Sequence, residues 1–381
     1  MKVGLYNLNM PASLGGGYVL RDDLAKSATQ VKGRHTFELV TAPPLARGQF
    51  RLKNAWNALL NRPQGLSTSA AVHLAREVQR KHIEILWFNH FVPIHIGVPY
   101  VLNIFDLQHR LQPWFPEVSA GGQWEQREAA WANSVRRAAL VNVGSQEAKE
   151  QLCHFYGVPL ENVRVLPFPT PQHAIDIAEG KTTASANQNV RAKYGIKNDF
   201  LFYPAQFWSH KNHVNLLLAL NLLRQKGRHL SLVLTGSDHG NLPHVQKTCR
   251  DLDLGDLVHF CGFVPYEDVL AFYGQARALS YVSFFGPENL PPLEAMALGC
   301  PVVLSNIAGV ETLHGDGPVL VEPSDPASIA AGIEFVLDNP DAVRDRVRRA
   351  REVAVANDCV RYMEEFQRML DGFEPIRRCW P

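Results

Sequence analysis

No run of apolar residues in this chain reaches the roughly 18 that a membrane-crossing helix needs, although hydrophobic residues fill 46% of its 381 positions. An excess of one charge is lacking too, with 38 Lys and Arg against 37 Asp and Glu and a formal net charge of +1. So balanced a chain offers no broad field for a polyanion. Nucleic acid is therefore not expected as a partner, and any anionic ligand must be held by a local cluster. Cysteine is sparse and scattered (Cys153, Cys249, Cys261, Cys300, Cys359, Cys379), with no Cys-x-x-Cys pair. This spacing argues against a disulfide framework and a zinc site, and for reduced thiols in a cytoplasm. The opening MKVGLYNLNM holds one lysine and lacks the apolar core and cleavage site of a leader, so it is expected to be a strand. The Gly-x-Gly-x-x-Gly fingerprint of dinucleotide enzymes, with its partner acid about 20 residues on, is missing.

What is present is a rhythm. Short β-branched or aromatic runs (Lys2–Asn7, Thr36–Thr41, Glu84–Asn89, Tyr100–Phe105, Leu140–Val143, Val163–Leu166) alternate with helical patterns such as Thr68–Lys81, Gln123–Arg137 and Gln146–Tyr156. A break follows at LPFPTP and the polar stretch TTASANQN. The rhythm then restarts with strands expected at Phe200–Tyr203, Leu230–Thr235, Val258–Cys261, Ala278–Val282 and Pro301–Leu304, and a helical end from Pro326 through Leu370. Such alternation predicts an α/β protein of two doubly wound, Rossmann-like domains. The expected boundaries are 1–170, 171–355 and a terminal helix over 356–381 that returns to the first domain. Ligands of such sheets bind at the carboxyl ends of the strands, so the expected site faces a central cleft between the domains.

The most informative segment runs Gly286-Pro-Glu-Asn-Leu-Pro-Pro-Leu-Glu-Ala-Met-Ala-Leu-Gly-Cys-Pro-Val-Val303. A strand ends before it, and a helix begins at its prolines, which a first helical turn tolerates. The dipole and free N–H groups of that turn suit a phosphate or a sugar hydroxyl, and Glu294 lies where a carboxylate is favoured. The plainer alternative is that Glu294 only caps its own helix.

This stretch resembles the signature of the retaining glycosyltransferases of family 4, which have the GT-B fold. The match runs from Leu290 to Val303. The resemblance gives Glu294 the ribose of a donor nucleotide. The family's first glutamate, which touches the donor sugar, aligns with Gly286, leaving Glu288 or Asn289 as the sugar contact. A second segment, Tyr203-Pro-Ala-Gln-Phe-Trp-Ser-His-Lys-Asn-His213, matches where the family neutralises the donor diphosphate with an arginine and a lysine. Lys211 matches the lysine, whereas Gln206 stands in the arginine's place and brings no charge. This version resembles the polysaccharide and O-antigen mannosyltransferases of the family. GDP-mannose is therefore the first expected donor and a UDP-sugar the second, with no cofactor besides. Phe263 and Val264 are implied neighbours of the base. Gly16 and Gly17, in the glycine turn after the first strand, are implied to border the donor phosphates. Asp106 and His109, after the strand ending near Phe105, are implied to assist catalysis, with a buried structural pair as the alternative.

Retaining transfer needs a stabilised leaving group, a held sugar and an acceptor hydroxyl on the same face. Some glycosyltransferases hold a metal on Asp-x-Asp. Asp251-Leu-Asp253, beside Gly255, reads instead as a solvated turn, so no metal is expected and Lys211 with the helix start takes its place. The implied acceptor is a glycan or a lipid-linked one at the inner membrane face, and the basic, aromatic stretch Arg51–Arg62 offers a peripheral membrane contact or an ordinary amphipathic helix. Two alternatives stand beside this reading. One is a GT-B-shaped binding or scaffold protein without catalysis. The other is a dinucleotide-dependent dehydrogenase.

Overall fold

The computed structural model describes residues 1–7, 16–41, 68–89, 95–182 and 189–381. Gly15, the Arg51–Arg62 stretch and residues 183–188 lie outside the described residues. The chain divides into two units: Met1–Pro11, Leu20–Phe168 and Val360–Pro381 form one, and Ala12–Val19 with Pro169–Cys359 the other.

The first unit, which takes α1 from Leu20 onward, alternates strands and helices: β1 (Lys2–Asn7), α1 (Gly16–Gln30), β2 (Thr36–Thr41), α2 (Thr68–Lys81), β3 (Ile85–Phe88), β4 (Tyr100–Asn103), α3 (Gln108–Leu111), α4 (Pro116–Ser119), α5 (Gln123–Ser134), β5 (Leu140–Val143), α6 (Gln146–Tyr156) and β6 (Val163–Val165). Its six strands are parallel, in the order β2-β1-β3-β4-β5-β6. Strand β3 reads ILWF and is buried at every position. So continuous an apolar strand is stable only with both sheet faces covered, which parallel crossovers achieve.

The second unit runs α7 (Gln172–Ala178), α8 (Val190–Tyr194), β7 (Phe200–Pro204), α9 (His213–Gln225), β8 (Ser231–Thr235), α10 (Leu242–Asp251), β9 (Val258–Gly262), α11 (Tyr266–Gln275), β10 (Ala278–Tyr281), α12 (Leu290–Ala297), β11 (Val302–Ser305), α13 (Val310–His314), β12 (Val319–Val321), α14 (Pro326–Asp338) and α15 (Pro340–Ala356). Its strand order, β12-β11-β10-β7-β8-β9, is again wholly parallel. The order reverses between β7 and β10. Chain leaving the carboxyl ends of these neighbours diverges, and that crevice is where doubly wound sheets bind ligands. Two doubly wound units of this kind are the GT-B fold.

The helical end is not continuous. Asn339 precedes Pro340 and leaves helical geometry at φ −123°, ψ 62°, because a residue before proline is pushed out of the α region. A second break at Asn357 separates α15 from α16 (Cys359–Arg377). Helix α16 packs inside the first unit, where the Phe366 ring lies 4.1 Å from that of Trp87 and His35 Nε2 is 3.1 Å from Asp371. Strand β12 and helix α13 were not expected, being too short to show a period. No helix among the described residues is long and apolar enough to cross a membrane.

Candidate functional site

The segments singled out in the second half of the sequence leave adjacent strands of the second sheet. Lys211 follows β7 and Asn289 follows β10, the two strands flanking the switch point. The Lys211 ammonium donates to Asn289 Oδ1 at 2.8 Å and to Tyr281 Oη at 3.0 Å. Asn289 is the N-cap residue of α12, so lysine and helix start meet at one point.

The loops are fastened together by backbone-directed bonds. Asn212 stands at φ +59°, a left-handed conformation in which asparagine is tolerated better than most residues. From there its Nδ2 donates to the carbonyls of Val282, at 2.8 Å, and Pro323, at 2.7 Å. The His210 carbonyl accepts from Phe284 N–H at 2.9 Å. His314, buried at the end of α13, donates from Nε2 to the Pro287 carbonyl at 2.9 Å. Burial lowers its pKa and so favours the neutral ring. Gly286 has φ +92°, and a Cβ there would lie 2.6 Å from Asn289 Nδ2. A glutamate at this position would therefore displace the asparagine. Gly236, after β8, is constrained similarly: a Cβ would lie 2.4 Å from the Ala205 carbonyl oxygen, against the β7–α9 loop.

Glu294 is buried within α12, and its two oxygens accept from Tyr266 Oη at 2.5 Å and Tyr273 Oη at 2.8 Å. Its carboxylate is turned toward α11 rather than acting as a cap. Among the first three helical positions of α12, Pro291 and Pro292 carry no N–H, leaving Leu290 as the amide donor. The anion-attracting capacity of this helix start rests on the dipole and one amide, less than a proline-free turn offers. Gln206 is half-buried beside the β7 end. Phe263 follows β9 and is 57% exposed, while Val264 is buried and belongs to the core. Glu288 is half-buried in the loop. Asn289 commits its amide internally, its Nδ2 donating to the carbonyls of Phe285, at 3.2 Å, and Gly286.

Gly16 and Gly17 open α1. Asp106 and His109 belong to a separate network in the first unit. Asp106 accepts from Gln108 N–H at 3.0 Å and pairs with Arg127. Burial pushes its pKa up, but the Arg127 charge and the backbone bond outweigh this and hold it below the usual carboxylate range. His109 is completely buried, with Nε2 3.1 Å from Tyr156 Oη. Tyr156 in turn donates to Glu128 at 3.0 Å, and Glu128 pairs with Arg110. The ring is buried beside Tyr156 and Glu128, with its pKa lowered to about 4 by burial and by Arg127, whereas the buried pair left open above is formed by Asp106 with Arg127. The Asp251-Leu-Asp253 stretch is a turn, with Asp251 bound to Lys247 at 2.5 Å and Asp253 99% exposed.

Four contributors escaped the sequence reading. Tyr281 sits in an apolar strand run and reads as core. Asn212 looks like one more polar letter of its motif. The hydroxyl of Tyr266 finds its partner 28 positions away, and His314 reaches a loop 27 positions away.

Comparison with known proteins bears on the same region. Residues 186–353 match the glycosyl transferases group 1 family model. An uncharacterized glycosyltransferase of Methanocaldococcus jannaschii, MJ1607, is 24% identical over 267 residues, 66% of this chain and 65% of that protein. The O-antigen chain mannosyltransferase RfbU of Salmonella typhimurium is 25% identical over 210 residues, 55% of this chain and 54% of that one. The chain thus spans less than two thirds of the length of these relatives. Among solved structures, Anabaena Alr3699/HepE in complex with UDP and glucose superimposes with a TM-score of 0.72 at 17% identity, covering 98% of this chain and 100% of that one.

Proposed function

We propose that this chain, whose residues 186–353 match the glycosyl transferases group 1 family model, moves a hexose from a nucleotide diphosphate sugar to a glycan or lipid-linked acceptor with retention of configuration. The observation that carries the reading is the meeting of the Lys211 ammonium and the α12 N-cap, 2.8 Å apart, at the switch point of the second sheet. Departure of a nucleoside diphosphate develops negative charge on its outer phosphate. A fixed cation and a helix dipole placed there stabilise that charge without reorganising. In this reading Lys211 and the α12 start neutralise the leaving group without a metal, and Glu294 holds the ribose. Gln206 contributes hydrogen bonds to the phosphates, and Phe263 lies beside the base. The leaving phosphate itself takes the acceptor's proton, with Asp106 or His109 as the candidate for assistance. RfbU is named as a mannosyltransferase, and HepE was crystallised with UDP and glucose. GDP-mannose is accordingly the first donor proposed and a UDP-sugar the second, in a cytoplasmic reaction at the inner face of a membrane.

The test is a panel of nucleotide sugars, scored for donor hydrolysis and for transfer to lipid-linked glycan acceptors, with NAD as a binding control. Hydrolysis of one donor class supports the proposal. A protein that binds NAD but no nucleoside diphosphate, and consumes no donor, sinks it.

A further inference from the structure

Lys211 is held at both ends by tyrosines from neighbouring strands. Tyr203, on β7, donates its hydroxyl to the Lys211 carbonyl, and Tyr281, at the end of β10, receives the ammonium at 3.0 Å. The two rings pack edge to face, with centroids 5.1 Å apart and planes at 89°. The ammonium also lies 5.3 Å from the Tyr281 ring centroid, within range of a cation–π attraction. Tyr281 is 3% exposed and Tyr203 fully buried, so neither side chain has room to swing.

Asn289 differs in kind. It is half-buried, lies on the loop between β10 and α12, and its amide donates to carbonyls three and four residues away. Its Oδ1 is a neutral acceptor facing an ammonium at the place where the sheet presents an anion site. A phosphate oxygen there makes a charge-assisted bond, about twice as strong as a neutral one.

We propose that Tyr281 is the fixed anchor of the Lys211 ammonium and Asn289 its exchangeable partner, whose Oδ1 an arriving diphosphate displaces. This rests on the donor-site reading above and adds an order of events to it. The ligand-free site is occupied by its own asparagine, diphosphate binding frees that amide, and Tyr281 keeps the ammonium in position throughout. Tyr281 is thus a positioning residue, acting through Lys211.

The two residues then respond in opposite directions. Inorganic pyrophosphate, GDP and UDP are titrated calorimetrically into the full chain as wild type, Tyr281→Phe and Asn289→Ala, with melting temperatures recorded. Tyr281→Phe is expected to weaken pyrophosphate about fivefold, through loss of a hydrogen bond that places the cation. Asn289→Ala is expected to tighten it about threefold, because an internal competitor for the ammonium is gone. Purely structural parts for both residues weaken both variants in step with their melting temperatures. Wild-type affinity in Tyr281→Phe overturns the anchor, and binding no tighter than wild type in Asn289→Ala overturns the exchange. Should Asn289→Ala fail to fold, Asn289→Asp decides. Its charge grips the ammonium harder, so binding falls about tenfold or more at neutral pH and recovers on acidification through the carboxyl's range; a flat profile overturns the proposal. A wild-type chain that binds none of the three ligands sinks the donor reading itself. Binding by wild type with unresponsive variants sinks this inference alone.

Discussion

Tyr273 Oη donates to Glu294 Oε2 at 2.8 Å inside the second unit, while Tyr266 Oη takes the other carboxylate oxygen at 2.5 Å. Burial, together with the Glu294 charge, raises the Tyr273 pKa well above its ordinary value, so it stays a donor at any accessible pH. Tyr273→Phe removes a hydrogen bond to a buried carboxylate and is expected to cost about 1–3 kcal/mol in urea unfolding. Glu294→Gln is expected to lower nucleoside diphosphate affinity about tenfold, because a ribose hydroxyl loses a charged acceptor. Unchanged affinity in Glu294→Gln removes the ribose assignment.

Lys211→Ala is expected to lower kcat/KM for the donor by about a hundredfold or more, since a preorganised charge at the leaving group is lost. The side chain is half-buried and caps no helix. The urea midpoint should therefore stay close to that of wild type. Near-normal turnover argues that the diphosphate is neutralised elsewhere.

Asn212 is expected to show an unusual order of substitutions. Asn212→Gly keeps the φ of +59° but loses the bonds to Val282 and Pro323, for about 2 kcal/mol. Asn212→Ala loses the same bonds and adds left-handed strain of about 1 kcal/mol. Glycine should be the milder change by melting temperature. Equal losses mean that the backbone relaxes and the conformation was not demanding.

Acid should weaken the fold through buried histidines. His213 lies between Phe207 and Tyr203, with ring centroids at 4.5 and 4.9 Å, and burial lowers its pKa to about 3. His109 is lowered to about 4. In the unfolded chain both titrate near 6.5. Below that value the unfolded state takes up protons that the native state refuses. Stability from these residues is thus full above the unfolded pKa and drains away as pH falls toward 4. Urea unfolding at several pH values across this window should show the decline, and His213→Phe should flatten it. An identical slope in the variant assigns the acid sensitivity to other groups.

Local pattern was enough to place β3 as a strand, since its ILWF run lies within the expected Glu84–Asn89. It was likewise enough to mark Lys211 and Glu294, because their spacing inside the Tyr203–His213 and Gly286–Val303 segments carries the family resemblance. The helical tail from Pro326 is found as expected, while periodicity over Pro326–Leu370 does not show the break that Pro340 imposes on Asn339.

The sequence by itself determined the alternation of strand and helix, its restart in the second half, and which short segments carry the family resemblance. These are properties of neighbouring residues, and period and spacing record them directly. Only the tertiary structure decided that β7 and β10 are neighbours, bringing Lys211 to Asn289 across 78 positions. The same is true of Glu294, which turns to two tyrosines, and of His109, which is buried against Tyr156. Strand order and burial depend on which crossovers the whole sheet accommodates at once, and no window along the chain contains that information.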